Sequence, residues 1–201
     1  MINNYIFDFG NVIAGYDQDR LTRCHIKDEQ RIKILSEVVF DRAYWDRLDD
    51  GSYTDDDEKA RLRERLDDDL YKDACLVFDN WIENLEKIEG TCFLIDDIKK
   101  SGKKLYLLSN ISIGFAKSYK KVKWIDDVLS KFDGLVFSGE VKMVKPNAEI
   151  FEYILEKYSL DPKECIFIDD TYKNIQGCSA VGIPCYQFDG DADKLRKYLG
   201  Y

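Results

Sequence analysis

Cys165-Ile166-Phe167-Ile168-Asp169-Asp170-Thr171 is an unbroken apolar run closed by two acids and a hydroxyl. A strand with one wet face alternates apolar and polar positions. An uninterrupted apolar run instead suits a strand covered on both faces, as in a parallel sheet between helices. Four more runs have the same character: Tyr5–Phe7, Leu105–Leu108, Gly134–Phe137 and Pro184–Gln187. Helical segments separate several of them. Phe93–Lys100 ends at Gly102, a suitable C-cap, Ala148–Tyr158 precedes the Cys165 run, and Asn174–Val181 leads through Gly182 to the last run. Strand–helix alternation of this kind predicts an α/β fold, a doubly wound, five-stranded parallel Rossmann-like core.

The first two runs are anomalously far apart. Residues 8–92 lie between Phe7 and Phe93, far more than a βα connection takes. Residues 16–90 contain no proline and read as helical. Thr54 with Asp57 makes a capping box, Leu62, Leu66 and Leu70 recur every four residues, and Phe78, Trp81, Ile82 and Leu85 form an apolar stripe at helical spacing. The expected organisation is a core of residues 1–15 and 91–201 with a helical cap, 16–90, inserted after the first strand. The acidic runs Asp55–Asp57 and Asp67–Asp69 read as solvated helix faces, because they lack the glycine turn and spaced ligands of a calcium loop.

Composition narrows the function. The 201 residues suffice for a large core without disulfides. With 45% hydrophobic and 34% charged residues the chain is neither disordered nor membrane-spanning in character. The longest uncharged run, Leu105–Ala116, is too short for a bilayer. A net charge of -9 argues against nucleic acid or anionic membrane as the partner, yet leaves room for a small anion bound by local positive groups. The N-terminus shows neither a basic n-region nor a long apolar h-region, and the six cysteines form no CxxC pair, so reduced, buried thiols in a cytoplasmic protein are expected. The single histidine, His25, reads as a surface residue, and zinc has no ligand set.

In open α/β sheets, ligands bind beyond the carboxyl ends of the strands. There the sequence places Asp8-Phe9-Gly10-Asn11, then Ser109-Asn110, then Lys145-Pro146, then Asp169-Asp170-Thr171, with Asn174 a turn further on. An acid at one strand end is often only a helix cap. Three carboxylates, a hydroxyl, an amide and a lysine on one edge point to phosphoryl transfer. A carboxylate attacks phosphorus, a hard cation neutralises the crowded acids, and lysine with hydroxyl and N–H donors holds the phosphoryl oxygens.

These motifs, Ile6–Val12, Leu107–Asn110, Val144–Pro146 and Phe167–Thr171, stand in the order of the haloacid dehalogenase-like hydrolases, which the chain resembles over essentially its whole length. The insert is similar to that family's helical cap of the first type, and Trp45–Thr54 to a turn within it. The resemblance implies Asp8 as nucleophile, Ser109 with the Asn110 amide as phosphoryl-binding pair, and Lys145 as the charge neutraliser that steadies Asp8. It implies Mg²⁺ held by Asp8, the Gly10 carbonyl and Asp170, with Asp169 in support and Asn174 behind them.

One position departs from the pattern. The family's phosphatases carry a second Asp two residues after the nucleophile, where this chain has Gly10. Asp17 is the expected substitute proton donor, by reaching back across a turn at Gly15; the other reading of Asp17 is a helix cap. The Asp-x-Gly-Asn-Val pattern with this cap also resembles the family's bacterial sugar-1-phosphate phosphatases. The expected function is Mg²⁺-dependent hydrolysis of a small phosphorylated metabolite through an aspartyl-phosphate. The alternatives are a dehalogenase, against which Asp169-Asp170 stand, and a catalytically weak phosphate-ligand-binding homologue. Arg42, Tyr44, Trp45 and Arg47 are the expected specificity positions, with Tyr44 and Trp45 otherwise packing between cap helices.

Overall fold

The computed structural model describes residues 1–201. In chain order it contains β1 (Asn4–Phe7), β2 (Ala14–Gly15), α1 (Gln18–Arg23), α2 (Glu29–Val39), α3 (Arg42–Asp49), α4 (Asp55–Arg65), α5 (Asp68–Asn80) and β3 (Glu86–Lys87). There follow α6 (Glu89–Lys100), β4 (Lys104–Ser109), α7 (Ile113–Ser118), α8 (Lys123–Leu129), β5 (Gly134–Phe137) and α9 (Ser138–Val141). The chain closes with α10 (Ala148–Tyr158), β6 (Cys165–Asp169), α11 (Tyr172–Ala180), β7 (Cys185–Gln187) and α12 (Ala192–Leu199). Five strands form one parallel sheet in the order β5-β4-β1-β6-β7.

The apolar runs are unbroken because alternate side chains enter two different cores. On one face Phe7, Leu105, Leu107, Ile166 and Ile168 pack with Leu94, Ile95 and Ile98 of α6. On the other, Ile6, Tyr106, Leu108 and Phe167 pack with Ile150, Phe151 and Ile154 of α10 and Cys178 of α11. The strand order reverses between β1 and its neighbours β4 and β6, so the carboxyl ends of these three strands open a crevice at the middle of the sheet.

Some boundaries differ from expectation. The helix anticipated from Phe93 begins at Glu89, and that from Asn174 begins at Tyr172 and ends at Ala180. The last strand starts at Cys185, since Pro184 lacks an N–H for the ladder. Cys24 is exposed and unpaired rather than buried, while Cys92, Cys165 and Cys178 are buried. His25 is half-buried, with its Nε2 2.8 Å from Asn84 Nδ2. No helix is long and apolar enough to cross a membrane.

Helices α1–α5 lie between β2 and β3, which pair antiparallel through Ala14–Lys87 and Gly15–Glu86. The outgoing and returning chains therefore run side by side. All five helices start on a side-chain cap: Asp17, Asp28, Asp41, Thr54 and Asp67 each accept a backbone N–H of the first turn. This accounts for the acidic runs. Asp55–Asp57 and Asp67–Asp69 are exposed and occupy helix N-termini, where the helix dipole favours negative charge. Thr54 and Asp57 form the reciprocal capping box, Thr54 N–H donating to Asp57 Oδ2 at 2.9 Å and Asp57 N–H to Thr54 Oγ1 at 3.2 Å.

An aromatic cluster joins these helices to the sheet. Trp45 of α3 packs on Trp81 at 5.4 Å between centroids, Trp81 on Phe115 of α7 at 5.9 Å, and Phe115 on Phe9 at 4.9 Å.

Candidate active site

Asp8 follows β1 directly, and its backbone N–H donates to Ile168 O at 2.9 Å, locking the turn to β6. Its Oδ1 accepts from Phe9 N–H at 2.7 Å and pairs with Lys145 Nζ at 2.8 Å. Its Oδ2 has no hydrogen-bond partner within the protein and is the oxygen free for chemistry. Lys145 is buried and reaches Asp169 Oδ2 at 2.7 Å as well. Asp169, fully buried, also accepts from Thr171 N–H at 2.8 Å and from Asn174 Nδ2 at 3.0 and 3.1 Å. Burial lowers the Lys145 pKa, but the two carboxylates outweigh it and hold the proton on the amine. Burial, with the charges of Asp169 and Asp170 adding to it, pushes Asp8 above the usual carboxylate range against the pull of Lys145.

Asn110 borders the cleft and also holds Lys145. Its side chain clasps the lysine backbone at two points, accepting from Lys145 N–H at 2.8 Å and donating to Lys145 O at 2.9 Å. Behind Lys145, Gly177 of α11 lies so near Pro146 that a Cβ there would collide with the Pro146 carbonyl. Ser109 is buried at the end of β4 and borders the cleft, and its hydroxyl makes no bond within the protein.

Asp8, Asp169 and Asp170 can each offer a carboxylate oxygen within 4.8 Å of the others. Asp170 accepts from Asn11 Nδ2 and Thr171 Oγ1, both at 3.2 Å. Asn11 sits at φ +53°, a left-handed geometry that Asn tolerates, and its Oδ1 takes the Tyr16 N–H at 3.0 Å. Between them Gly10 accepts no hydrogen bond at its carbonyl. Two carboxylates and an orphan carbonyl make an oxygen-only donor set, the kind a hard divalent cation prefers.

Above this floor lies a cleft of about 510 Å³, bordered by Asp8, Gly10, Ser109, Lys145 and Asp170 below and by Tyr16, Arg42, Trp45, Asp46, Asp49 and Trp81 above. The structure thus gathers Asp8, Gly10, Ser109, Asn110, Lys145 and Asp170 at one cleft, with Asp169 beneath them. Asp17 is not among its walls. The exposed Asp17 carboxylate caps α1, accepting Arg20 N–H at 2.7 Å, because Gly15 is paired with Glu86 of β3 instead of forming a turn back to Asp8. The reach-back expected of Asp17 does not occur. Of the four expected specificity positions, Arg42 and Trp45 border the cleft. Tyr44 and Arg47 do not; the Arg47 guanidinium lies 3.9 Å over the Tyr53 ring, and that of Arg61 lies 4.2 Å over Tyr44.

Asp49 went unnoticed in the sequence. Its only local signal is helical phase: Trp45, Leu48 and Asp49 share the buried face of α3.

The profile of a family described as "haloacid dehalogenase-like hydrolase" matches residues 2–182. The chain belongs to the haloacid dehalogenase-like hydrolases. Among curated members, the D-ribitol-5-phosphate phosphatase of Bacteroides thetaiotaomicron is 28% identical, over 96% of this chain and 95% of its own length. The sesquiterpene phosphatase astK of Aspergillus oryzae is 26% identical, over 89% of this chain and 85% of its own. Among solved haloacid dehalogenase-like structures, an enzyme of Bacteroides thetaiotaomicron in complex with magnesium and inorganic phosphate superposes with a TM-score of 0.68. It is 25% identical, with 97% of this chain and 99% of that one covered.

Proposed function

We propose that this hydrolase is a Mg²⁺-dependent phosphatase of small phosphorylated metabolites, a polyol or sugar phosphate, acting through an aspartyl-phosphate on Asp8. The observation that carries this reading is Asp8 itself. One of its oxygens is held by Lys145 and Phe9 N–H, and the other faces the cleft free, at the centre of an acidic cluster. Orienting one oxygen aims the other at phosphorus.

Asp8, the Gly10 carbonyl and Asp170 would hold Mg²⁺, with Asp169 in support. The cation supplies charge neutralisation among the carboxylates and the incoming phosphate. Lys145 and the Ser109 hydroxyl hold phosphoryl oxygens as negative charge builds on them. Asp169, itself held by Asn174, fixes the lysine head, and Asn110 fixes its backbone. A carbon–halogen displacement at Asp8 has no use for such a cluster, which favours phosphate over halide as the leaving chemistry.

The upper wall supports a polyhydroxylated substrate. Trp45 and Trp81 line it together with Arg42 and Asp46, offering flat apolar surface beside hydroxyl-binding groups. The relative acting on D-ribitol 5-phosphate fits the same class. We take residues 16–90 as a cap that closes over a core of 1–15 and 91–201, pivoting at the β2–β3 pair. The free thiols suit the reducing cytoplasm, where we place the protein.

Purified protein with Mg²⁺ should release orthophosphate from members of a panel holding ribitol 5-phosphate, glucose 1-phosphate and p-nitrophenyl phosphate, and chelation should stop it. Release from none of them in the presence of Mg²⁺ would overturn the proposal in favour of a silent phosphate-binding homologue.

A further inference from the structure

Gly10 leaves the position two residues beyond Asp8 without a carboxyl, and Asp17 is spent on a helix cap. An alkyl oxygen leaves phosphorus poorly unless it is protonated, so a proton donor elsewhere in the cleft is required. Asp49 meets that need by position. It is 6% exposed, it borders the same cleft as Asp8 and Gly10, and its carboxylate receives no hydrogen bond from the protein. A buried carboxyl without a partner is costly unless it has work to do on a ligand.

The core holds Asp49 in place. Ser138 Oγ donates to the Asp49 backbone carbonyl at 2.5 Å and accepts from Ile111 N–H at 2.8 Å, two residues past Ser109. Gly51, at φ +72°, lies so close to Gly139 that a Cβ would strike the Gly139 carbonyl. The end of α3 is thereby clamped to the ends of β4 and β5, directly over the phosphoryl-binding edge. The Tyr16 hydroxyl, buried with no partner, borders the cleft beside it.

We propose that Asp49 is the general acid and base of the reaction, supplied by α3 in place of a carboxyl at Gly10. The inference rests on the phosphatase reading above. In the first step an Asp8 oxygen forms a bond to phosphorus and the ester P–O bond breaks. The leaving oxygen takes the proton of Asp49 and departs as the alcohol. In the second, a water oxygen attacks the phosphorus of the aspartyl-phosphate and gives its proton to the Asp49 carboxylate. The bond to Asp8 breaks, orthophosphate leaves, and Asp49 is again protonated. The environment agrees with a group that exchanges protons near neutrality. Burial pushes Asp49 up to about 7; Arg42 opposes this, Asp46 and Asp8 add to it, and Lys145 opposes it again. Tyr16, facing Asp49 from beyond β2, is itself held protonated by burial and by the Asp49 charge.

The test is single-turnover kinetics of the Mg²⁺-loaded enzyme with an alkyl ester from the panel and with p-nitrophenyl phosphate, whose leaving group needs no proton. Asp49→Asn should slow phosphoryl transfer from the alkyl ester by about 10²–10⁴-fold and change that from the aryl ester only a few-fold. It should also make the second step limiting, giving a burst of nitrophenol. Ser138→Ala, which keeps the carboxyl but releases its clamp, should show the same preference for aryl over alkyl esters with a smaller loss, about tenfold. That variant decides the matter if Asp49→Asn does not fold. Equal slowing of both esters would make Asp49 a substrate-binding group and overturn the proposal, as would unchanged rates. If wild-type protein turns over the panel and Asp49→Asn behaves like it, only this inference fails. If wild type turns over nothing, the phosphatase reading fails with it.

Discussion

Lys145 is the residue on which the site's charges balance. Three carboxylates gathered at one crevice repel one another, and a single buried ammonium bonded to two of them keeps Asp8 and Asp169 in register. Asp8 is then the one acid with an oxygen left over. Asp8→Asn keeps the shape and loses the nucleophilic charge. Orthophosphate release should fall by a factor of a thousand or more, roughly the scale seen when a covalent nucleophile is removed. The far-ultraviolet circular dichroism should stay unchanged. Activity persisting in that variant would remove Asp8 from the nucleophile's role.

Two elements show how backbone packing serves the site. In α11, Gly177 occupies a helix interior, where Ala would ordinarily stabilise by about 1 kcal/mol. Here the new Cβ meets the Pro146 carbonyl, so overpacking decides the sign. Gly177→Ala should destabilise by about 1–3 kcal/mol in a denaturant titration. It should also lower turnover, because Pro146 carries Lys145. The second case is Asp133, which leads into β5. Its carboxylate accepts from Lys99 Nζ at the end of α6 at 2.8 Å, and from Lys104 Nζ at 2.9 Å and Leu105 N–H at 3.0 Å in β4. Burial works against the ionised form, but these donors win and hold its pKa down to about 2. A pKa lowered by folding means stability that is present above the ordinary carboxylate range and lost as pH falls through the folded value. Asp133→Asn should therefore cost about 1 kcal/mol at pH 7, discounted for solvent screening. The gap from wild type should close between about pH 4 and pH 2. A gap that stayed constant across that window would show that the ion pairs contribute nothing.

At the scale of the molecule, the acidic cluster exists only when β1 and β6 are paired, so Mg²⁺ should bind the folded chain and not the unfolded one. At about a hundred times its Kd, such a cation stabilises by about 2.7 kcal/mol, visible as a rise in Tm that chelation reverses. Asp170→Ala should abolish most of that rise and weaken Mg²⁺ binding by calorimetry. An unchanged Tm response in the variant would mean that the cation sits elsewhere. The same pairing explains the position of the cleft. The reversal of strand order opens the sheet edge between β1 and its neighbours, and α3, clamped through Ser138, roofs that opening with Trp45 and Asp49.

What could be read from the chain alone was whatever repeats locally. Runs such as Cys165–Ile168 announce a strand buried on both faces, and each strand's end marks the next group at the crevice. Asp8, Ser109, Lys145 and Asp170 were therefore visible as one set, because a parallel sheet sends all its carboxyl ends to the same edge. The Thr54 capping box was equally plain, since its partners lie three residues apart. Other assignments needed the tertiary structure. Asp17 and Asp49 are both acids beside helix ends in the same insert, with little in their immediate neighbours to separate them. The pairing of β2 with β3 carries Asp17 away to cap α1, and the Ser138 clamp turns the end of α3 over Asp8. The double hydrogen bond from the Asn110 side chain to the Lys145 backbone, thirty-five positions along the chain, is a contact of the same kind. Local propensity and periodicity follow from a residue's own neighbours. Which of two similar acids loses its water is set by contacts between segments far apart in sequence, and only the folded chain brings those together.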